Sequence, residues 1–327
     1  MLLDLAMVVA GLILLMAGAD YLVRGAVALA GRLGISKLVI GLTVVALGTS
    51  LPELVVSLRA ALGGSTGLAV GNVVGSKIAN IVLILGVAAL ISPINCTQRT
   101  LMRDGLIVLV VTVVFVIVGM TGGYDATFGL AAVLALVLYL GWSYVQDKRA
   151  GGGVHAQEAE EVEPIHGPVW KASGIVIGGL VAVLIGAELL VAGAVDIARV
   201  LGVSDEVIGL TLVAFGTSVP ELATTAAAAW RRHADVALGN VLGSNLFNLF
   251  GILGVTAIVV PLPAPEKIQA FDSWVMLAVT VLLLPFMRTG WKIGRVEGAV
   301  FVTLYAAFVA AQFFGVGESM AARVAAW

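Results

Sequence analysis

Long apolar runs alternate along the chain with short polar breaks, and most of the runs have the length of a membrane-spanning helix. A spanning helix needs about 20 mostly apolar residues. The pattern predicts ten spans and hence an all-α polytopic membrane protein. Their approximate ranges are 2–31, 36–62, 67–91, 101–119, 125–146, 168–199, 204–230, 234–260, 271–287 and 296–317.

The composition agrees with this pattern. Of the 327 residues, 60% are hydrophobic and 12% are charged, whereas soluble domains average about 25% charged residues. This excludes an ordinary cytosolic enzyme, a nucleic-acid binder and a disordered chain. The single Cys96 excludes an internal disulfide framework. The first apolar run carries Asp4 and no early Lys or Arg, so we expect a retained helix rather than a cleaved signal.

The one long polar stretch, 147–167, is rich in Gly and Glu and predicts a flexible linker. It divides the chain into a first half, 1–146, and a second half, 168–327, with five predicted helices each.

The two halves resemble each other at one constant offset, which relates position 34 to position 202. Segment 34–54 matches segment 202–222 at 15 of 21 positions, and GNVVGSKIANI (71–81) matches GNVLGSNLFNL (239–249). Agreement at one offset without gaps indicates an internal duplication. Because each half has an odd number of helices, the second half should enter the membrane upside down. Inverted repeats are a design of secondary transporters.

The basic residues predict the orientation in the membrane. Thirteen Lys and Arg residues fall in one set of loops and helix ends, four in the other, and Lys77 lies within a span. Since cytoplasmic loops carry the excess of positive charge, we expect a cytoplasmic linker and both termini outside, in the cell membrane.

Two acidic residues, Glu53 and Glu221, lie inside apolar spans, each in the sequence Gly-Thr-Ser-x-Pro-Glu. A charge at this depth costs at least a few kcal/mol and is a functional candidate by default. The alternative is a carboxylate at a helix end near the headgroups.

The neighbours of the two glutamates are suited to a cation site. Pro52 and Pro220 each disturb a helical turn that also contains a glycine, which frees carbonyl oxygens. Residues three and four apart share a helix face, so the hydroxyls of the motif accompany its glutamate. These hydroxyls belong to Thr49, Ser50, Thr217 and Ser218.

The second repeated block adds further oxygen atoms at helical spacing. Ser76 and Asn80 are four residues apart, as are Ser244 and Asn248. They are either cation ligands or polar contacts between helices. Histidines occur only at 155, 166 and 233, in loops. An all-oxygen ligand set favours Na⁺, Ca²⁺ or Mg²⁺ over Zn²⁺ or copper, and two carboxylates match the charge of one Ca²⁺.

These motifs resemble the two alpha repeats of the sodium/calcium exchanger family, within the cation/calcium antiporter superfamily. The resemblance rests on GTSLPE with GNVVGSKIAN and on GTSVPE with GNVLGSNLFN, and extends over both halves. The chain looks like a compact prokaryotic member of this family. The resemblance implies Na⁺/Ca²⁺ antiport by alternating access, with Na⁺ influx driving Ca²⁺ export, and implies neither an enzyme nor a cofactor.

The resemblance also implies roles for individual residues. Glu53, Thr49 and Ser50 would coordinate Ca²⁺, as would Glu221, Thr217 and Ser218. The carbonyls of Ala46 and Ala214, with Ser76 and Ser244, would bind Na⁺. Asn80 and Asn248 would line the centre, and the long helices 2–31 and 168–199 would slide as a gating pair.

Two positions depart from the family pattern. Some members carry an aspartate where this chain has Asn248, and the family usually has an asparagine where this chain has Lys77. The ammonium of Lys77 either snorkels or pairs with a carboxylate, or it perturbs a cation site.

Other functions remain open at this point. The nearest are a H⁺/Ca²⁺ antiporter and a K⁺-dependent Na⁺/Ca²⁺ antiporter of the same superfamily, although the paired Thr-Ser favours Na⁺. An intramembrane protease would want catalytic motifs that the spans lack. A channel would pass Ca²⁺ without a Na⁺ gradient. The lipid bilayer is the expected surrounding, and the sequence leaves the oligomeric state open.

Overall fold

The computed structural model describes residues 2–149, 168–201 and 214–325. Over these ranges the chain is mostly helical, with two short strands. The strands are β1 (Ile94–Asn95) and β2 (Lys292–Ile293). The helices are α1 (Leu2–Leu33), α2 (Lys37–Thr49), α3 (Leu51–Leu62), α4 (Thr66–Ile91), α5 (Gln98–Met120), α6 (Ala126–Arg149), α7 (Val169–Val200), α8 (Ala214–Gly216), α9 (Val219–Trp230), α10 (Ala234–Val259), α11 (Ile268–Trp291), α12 (Arg295–Phe313) and α13 (Val316–Ala325).

Eight of these helices are long and apolar enough to cross a membrane: α1, α4, α5, α6, α7, α10, α11 and α12. A ninth candidate is the pair α2 and α3, which is bent by 43° at Ser50. This confirms the predicted class, an all-α multi-pass membrane protein. The predicted span 204–230 lies in part outside the described residues. The count of ten and the inverted arrangement therefore stay predictions.

The sequence repeat recurs in the boundaries of the helices. The offset between the halves relates both ends of α3 to those of α9, and the start of α4 to the start of α10. Two π-helical turns, Leu101–Gly105 and Ile268–Asp272, recur at nearly the same offset. Equivalent sequences in the two halves thus form equivalent local structures.

The chain forms two compact units. Unit 1 contains Met1–Pro52 and Ser143–Asn240, and unit 2 contains Glu53–Trp142 and Val241–Trp327. Each unit draws on both halves of the sequence. The predicted division at 147–167 concerns the sequence repeats, and residues 150–167 lie outside the described part of the chain.

Unit 1 is built on the antiparallel packing of α1 against α7. Glycines on both helices bring the two backbones close together. A Cβ atom at Gly18 would lie 2.7 Å from the backbone nitrogen of Val183, and one at Gly179 would lie 2.5 Å from that of Leu22. Small residues permit this close approach in membrane helices. We call this line of close glycine contacts between α1 and α7 the glycine seam. It continues into an apolar core that includes Leu22 and Val183.

Polar contacts at the helix ends tie other elements of unit 1 together. Asp20 of α1 pairs with Arg231, which follows α9. The backbone N–H of Ser36 donates to the carboxylate of Asp147 over 2.6 Å, while the Ser36 hydroxyl caps α2 by accepting from Val39. The two hydrogen bonds of Ser36 and Val39 pair backbone N–H groups at the start of α2 that would otherwise lack partners.

Unit 2 also relies on close helix packing. A Cβ atom at Gly298 of α12 would lie 2.8 Å from the carbonyl oxygen of Gly86 in α4. The strands β1 and β2 pair antiparallel, with Ile94 opposite Ile293. These contacts join a segment of the first half to a segment of the second.

Buried acidic side chains of unit 2 have polar partners. Asp104 is fully buried and binds the guanidinium of Arg103 through two contacts, of 2.8 and 3.0 Å, and the Tyr139 hydroxyl donates to it. Asp272 accepts from the amide of Gln312. Ionisable groups within apolar helices require such partners, and these four contacts supply them.

Candidate cation site

In unit 1, the second Gly-Thr-Ser-x-Pro-Glu motif places Glu221 in the first turn of a helix. The short helix α8 ends at Gly216, and α9 starts at Val219 with Pro220 in its first turn. Proline is favoured there because it lacks a backbone N–H that would go unpaired. Glu221 is 1% exposed. The positive end of the helix dipole favours a carboxylate at this place.

The first motif provides a partner for this carboxylate. The hydroxyl of Ser50 donates to Oε1 of Glu221 over 2.9 Å, and both residues are buried in unit 1. Ser50 stands in the bend between α2 and α3. Hydrogen bonds to a charged acceptor are stronger than neutral ones. The contact joins the two copies of the motif.

Thr49 and Asn240 form a second link between the repeats in unit 1. The Thr49 hydroxyl lies 3.1 Å from the carbonyl oxygen of Val45 and 3.4 Å from Oδ1 of Asn240. The amide nitrogen of Asn240 donates to the Thr225 hydroxyl over 2.9 Å. All of these side chains are buried.

The remaining predicted residues of unit 1 have different surroundings. The backbone N–H of Ser50 donates to the carbonyl oxygen of Ala46 over 3.0 Å. The Thr217 hydroxyl is buried and has no hydrogen-bond partner within the described ranges. Ser218 is 3% exposed and precedes α9. Ala214 begins α8.

In unit 2, Glu53 occupies the first turn of α3 and is 1% exposed. Its carbonyl oxygen accepts from the amide of Asn72 over 3.3 Å, and the same amide donates to the Ser57 hydroxyl over 3.0 Å. Asn72 of α4 thus holds the first turns of α3 in place.

The second repeated block has two copies, 71–81 and 239–249. The first copy lies in α4 and belongs to unit 2, and the second copy belongs to unit 2 from Val241 onwards. Ser76, Asn80, Ser244 and Asn248 are each at most 5% exposed. Neither polar atom of the Asn80 amide, nor of the Asn248 amide, has a hydrogen-bond partner in the described part of the chain. A π-helical turn starts at Asn80, and another, Phe247–Ile252, contains Asn248. Such turns are frequent at functional sites.

The structure therefore distributes the predicted ligands over its units. Unit 1 brings Ser50 and Glu221 into contact. Unit 2 buries Glu53 together with the four residues of the second block. Among the described residues, no three His, Cys, Asp or Glu side chains form a metal cluster. The available atoms are carboxylate, hydroxyl, amide and carbonyl oxygens, which suit hard cations.

Asn72 and Asn240 are the residues that the sequence analysis missed. They occupy equivalent positions of the two repeats, and so do their hydrogen-bond partners, Ser57 and Thr225. The signal was present in the sequence, because both blocks begin with Gly-Asn. An asparagine inside an apolar run has to find hydrogen-bond partners.

Buried carboxylates on broken helices, in a bundle of apolar helices with oxygen-rich surroundings, define a membrane transporter of cations. Comparison with known families agrees: residues 3–145 and 171–314 match the family described as "Sodium/calcium exchanger protein". The chain belongs to the sodium/calcium exchanger family. The family is one of transporters, which confirms the prediction that the protein is not an enzyme.

Individual relatives cover almost the whole chain. Sodium/calcium exchanger MaX1 of Methanosarcina acetivorans is 36% identical over 93% of this chain and 97% of its own length. Uncharacterized membrane protein MJ0091 of Methanocaldococcus jannaschii is 40% identical over 93% and 96%.

The structure is similar to that of the sodium-calcium exchanger NCX_Mj in crystals soaked with zero Na⁺ and Ca²⁺. The TM-score is 0.84 at 36% identity, over 94% of this chain and 98% of NCX_Mj. The similarity in sequence and the similarity in structure therefore extend over the same share of the molecule.

Proposed function

We propose that the protein exchanges Na⁺ for Ca²⁺ across the cell membrane by alternating access, with Glu53 and Glu221 coordinating the cations. The observation that carries the proposal is the contact between Ser50 and Glu221, a 2.9 Å hydrogen bond at a buried carboxylate. Buried charges in proteins are paired or coordinate metal ions, and the proposal assigns the Glu221 carboxylate to the transported cation.

Two lines of support identify the transported ions: the chemistry of the buried ligand atoms and the names of the relatives. The buried ligand atoms are oxygens, the preference of Ca²⁺ and other hard cations. The relative MaX1 is named a sodium/calcium exchanger, and NCX_Mj was soaked with Na⁺, Ca²⁺ or Sr²⁺. We carry Na⁺ and Ca²⁺ over to this chain as its substrates.

The other predicted ligands complete the proposal. Hydroxyl and carbonyl oxygens of the two motifs coordinate Ca²⁺ or Na⁺ beside the glutamates, and the second block supplies hydroxyl and amide oxygens. These residues are Ala46, Thr49, Ser50, Ala214, Thr217 and Ser218 for the motifs, and Ser76, Asn80, Ser244 and Asn248 for the second block.

Alternating access assigns a role to the pair α1 and α7. Their glycine seam holds the two helices together as one body in unit 1. Such a pair moves as a unit when the ions are exposed to one side of the membrane and then to the other. The excess of basic residues in one set of loops supports a cytoplasmic linker and external termini.

Flux measurements in proteoliposomes test the exchange. Vesicles loaded with Na⁺ are diluted into Na⁺-free medium containing ⁴⁵Ca²⁺, and we expect uptake that depends on the outward Na⁺ gradient. Uptake that ignores Na⁺ and follows a pH gradient would instead show H⁺/Ca²⁺ antiport. An additional requirement for K⁺ would show the K⁺-dependent form.

Matched variants connect the flux to the proposed ligands. Glu53→Gln and Glu221→Gln remove one charge each and should abolish Na⁺-driven uptake. Glu318→Gln is the control, because Glu318 lies exposed in α13 and forms a surface pair with Lys267, which is worth little. Uptake that survives in both buried variants would contradict the proposed coordination.

A further inference from the structure

Lys77 is a fully buried positive charge in unit 2, on helix α4. Its ammonium nitrogen has no hydrogen-bond partner in the described ranges of the chain. An ammonium carries three donors and no acceptor. Burial of such a group is unfavourable unless acceptors surround it. The surroundings of Lys77 should therefore contain oxygen atoms that are still available.

Three asparagines of unit 2 offer such oxygens. Asn80, Asn245 and Asn248 are buried, and their Oδ1 atoms have no hydrogen-bond partner within the residues that the structure describes. The first part of α4, Thr66–Ala79, packs against Phe247–Ile252, so the segments that carry Lys77 and Asn248 adjoin. Asn80 follows Lys77 by three residues and lies near it on the helix.

The orientation of Asn245 leaves its oxygen available as an acceptor. Its amide nitrogen donates to the carbonyl oxygen of Val241 in its own helix over 2.9 Å. That bond uses the donor side of the amide, and Oδ1 remains buried without a partner among the described residues. An amide oxygen in this state can accept a hydrogen bond from an ammonium or coordinate a metal cation.

The repeat shows what Lys77 replaces. At the constant offset between the two halves, Lys77 corresponds to Asn245, and Asn80 corresponds to Asn248. A strictly repeated site would hold four amides and no charge. This chain holds three amides and one ammonium, so a positive charge stands where the repeat would have a neutral ligand.

We infer that the Lys77 ammonium is a tethered cation, which takes the place of one monovalent ion in the part of unit 2 that holds the buried amides of Asn80, Asn245 and Asn248. The inference rests on the proposed Na⁺/Ca²⁺ exchange. A tethered charge contributes to the electrostatic balance of the binding residues but never leaves them. The protein therefore moves one Na⁺ fewer per Ca²⁺ than the same chain with a neutral residue at position 77.

The stoichiometry of neutral variants tests this inference. In proteoliposomes with a clamped membrane potential, the Na⁺ gradient at which net Ca²⁺ flux vanishes gives the number of Na⁺ per Ca²⁺. We expect Lys77→Asn and Lys77→Gln to raise this number by one. Lys292→Gln removes an exposed lysine from β2 and should leave it unchanged.

The outcomes separate the inference from the proposed function. Variants at position 77 that exchange Na⁺ for Ca²⁺ with the original ratio would overturn the tethered cation and leave the exchange intact. If the protein without any substitution showed no Na⁺-driven Ca²⁺ flux, the proposed exchange itself would be overturned.

A measurement on the unchanged protein makes the test independent of the folding of any variant. An experimental structure in Na⁺ should show the Lys77 nitrogen still buried and without a carboxylate partner, as it is among the described residues here. An ammonium paired with the Glu53 carboxylate of the same unit would show a structural ion pair and would overturn the inference.

Discussion

The hydroxyl of Ser50 donates a hydrogen bond to the carboxylate of Glu221 over 2.9 Å, although 171 residues separate them in sequence. Each belongs to one copy of the same motif, and both are buried in unit 1. The duplication thus supplies both the acid and the group that orients it.

Removal of this hydroxyl should weaken cation binding. A hydrogen bond to a charged group contributes roughly 1.5–3 kcal/mol, and such an energy corresponds to about a tenfold change or more in an equilibrium constant. We expect Ser50→Ala to raise the KM for Ca²⁺ about tenfold or more in flux measurements. The control is Ser143→Ala, since Ser143 is a buried serine of unit 1 whose hydroxyl has no partner among described residues. Equal KM values in both variants would refute the role of Ser50.

The asparagines that open the second repeated block should stabilise the fold to different extents. Asn240 is 1% exposed and contacts both Thr49 and Thr225, whereas Asn72 is half-buried. Loss of a buried partner costs about 1–3 kcal/mol. We expect Asn240→Ala to lower the Tm in detergent more than Asn72→Ala. The reverse order would show that the contacts of Asn240 contribute little.

Much of the fold follows from apolar periodicity alone. The run 2–31 predicted α1, found at Leu2–Leu33, and the run 168–199 predicted α7, found at Val169–Val200. Backbone groups in a membrane have to form hydrogen bonds within their own helix. A long apolar run therefore predicts a helix. The disturbed turn before Pro52 also appears, as the bend at Ser50.

Other features were beyond local sequence patterns. The contact of Ser50 with Glu221 depends on tertiary packing, which periodicity does not encode. The burial of Lys77 without a partner in the described residues was equally unpredictable, because a lysine in an apolar span can also reach an interface by snorkelling. The repeated Gly-Asn pairs do contain Asn72 and Asn240, but the sequence does not show which groups their amides bind.

The glycine seam between α1 and α7 should tolerate no side chain. A Cβ atom at Gly179 would lie 2.5 Å from the backbone of Leu22, whereas one at the adjacent Gly178 meets no atom within 4 Å. We expect Gly179→Ala to lower the Tm and the rate of Ca²⁺ flux, because a backbone cannot yield as a side chain does. Gly178→Ala should leave both unchanged. Identical behaviour of the two variants would contradict the close packing.

The stability of unit 1 should depend on pH through His233. Burial, together with the positive charges of Lys37 and Arg231, lowers the pKa of His233 from 6.5 to about 4. Between these values the unfolded chain binds more protons, so stability present above about pH 6.5 is lost as the pH falls towards 4.

Thermal unfolding in detergent at pH 7 and pH 5 measures this effect. The unchanged protein should lose on the order of 1 kcal/mol more than His233→Gln over this interval. The other ionisable groups are common to both proteins and cancel in the comparison. A pH dependence that the substitution does not alter would show that His233 is not the responsible group.

The central claim, that Glu53 and Glu221 coordinate the exchanged cations, is tested most directly by equilibrium binding of ⁴⁵Ca²⁺ to the purified protein, with Na⁺ as competitor. The account predicts saturable binding that Na⁺ displaces, and affinity at least tenfold lower in Glu53→Gln and in Glu221→Gln. Unchanged Ca²⁺ affinity in both variants, or binding that Na⁺ does not displace, would contradict it.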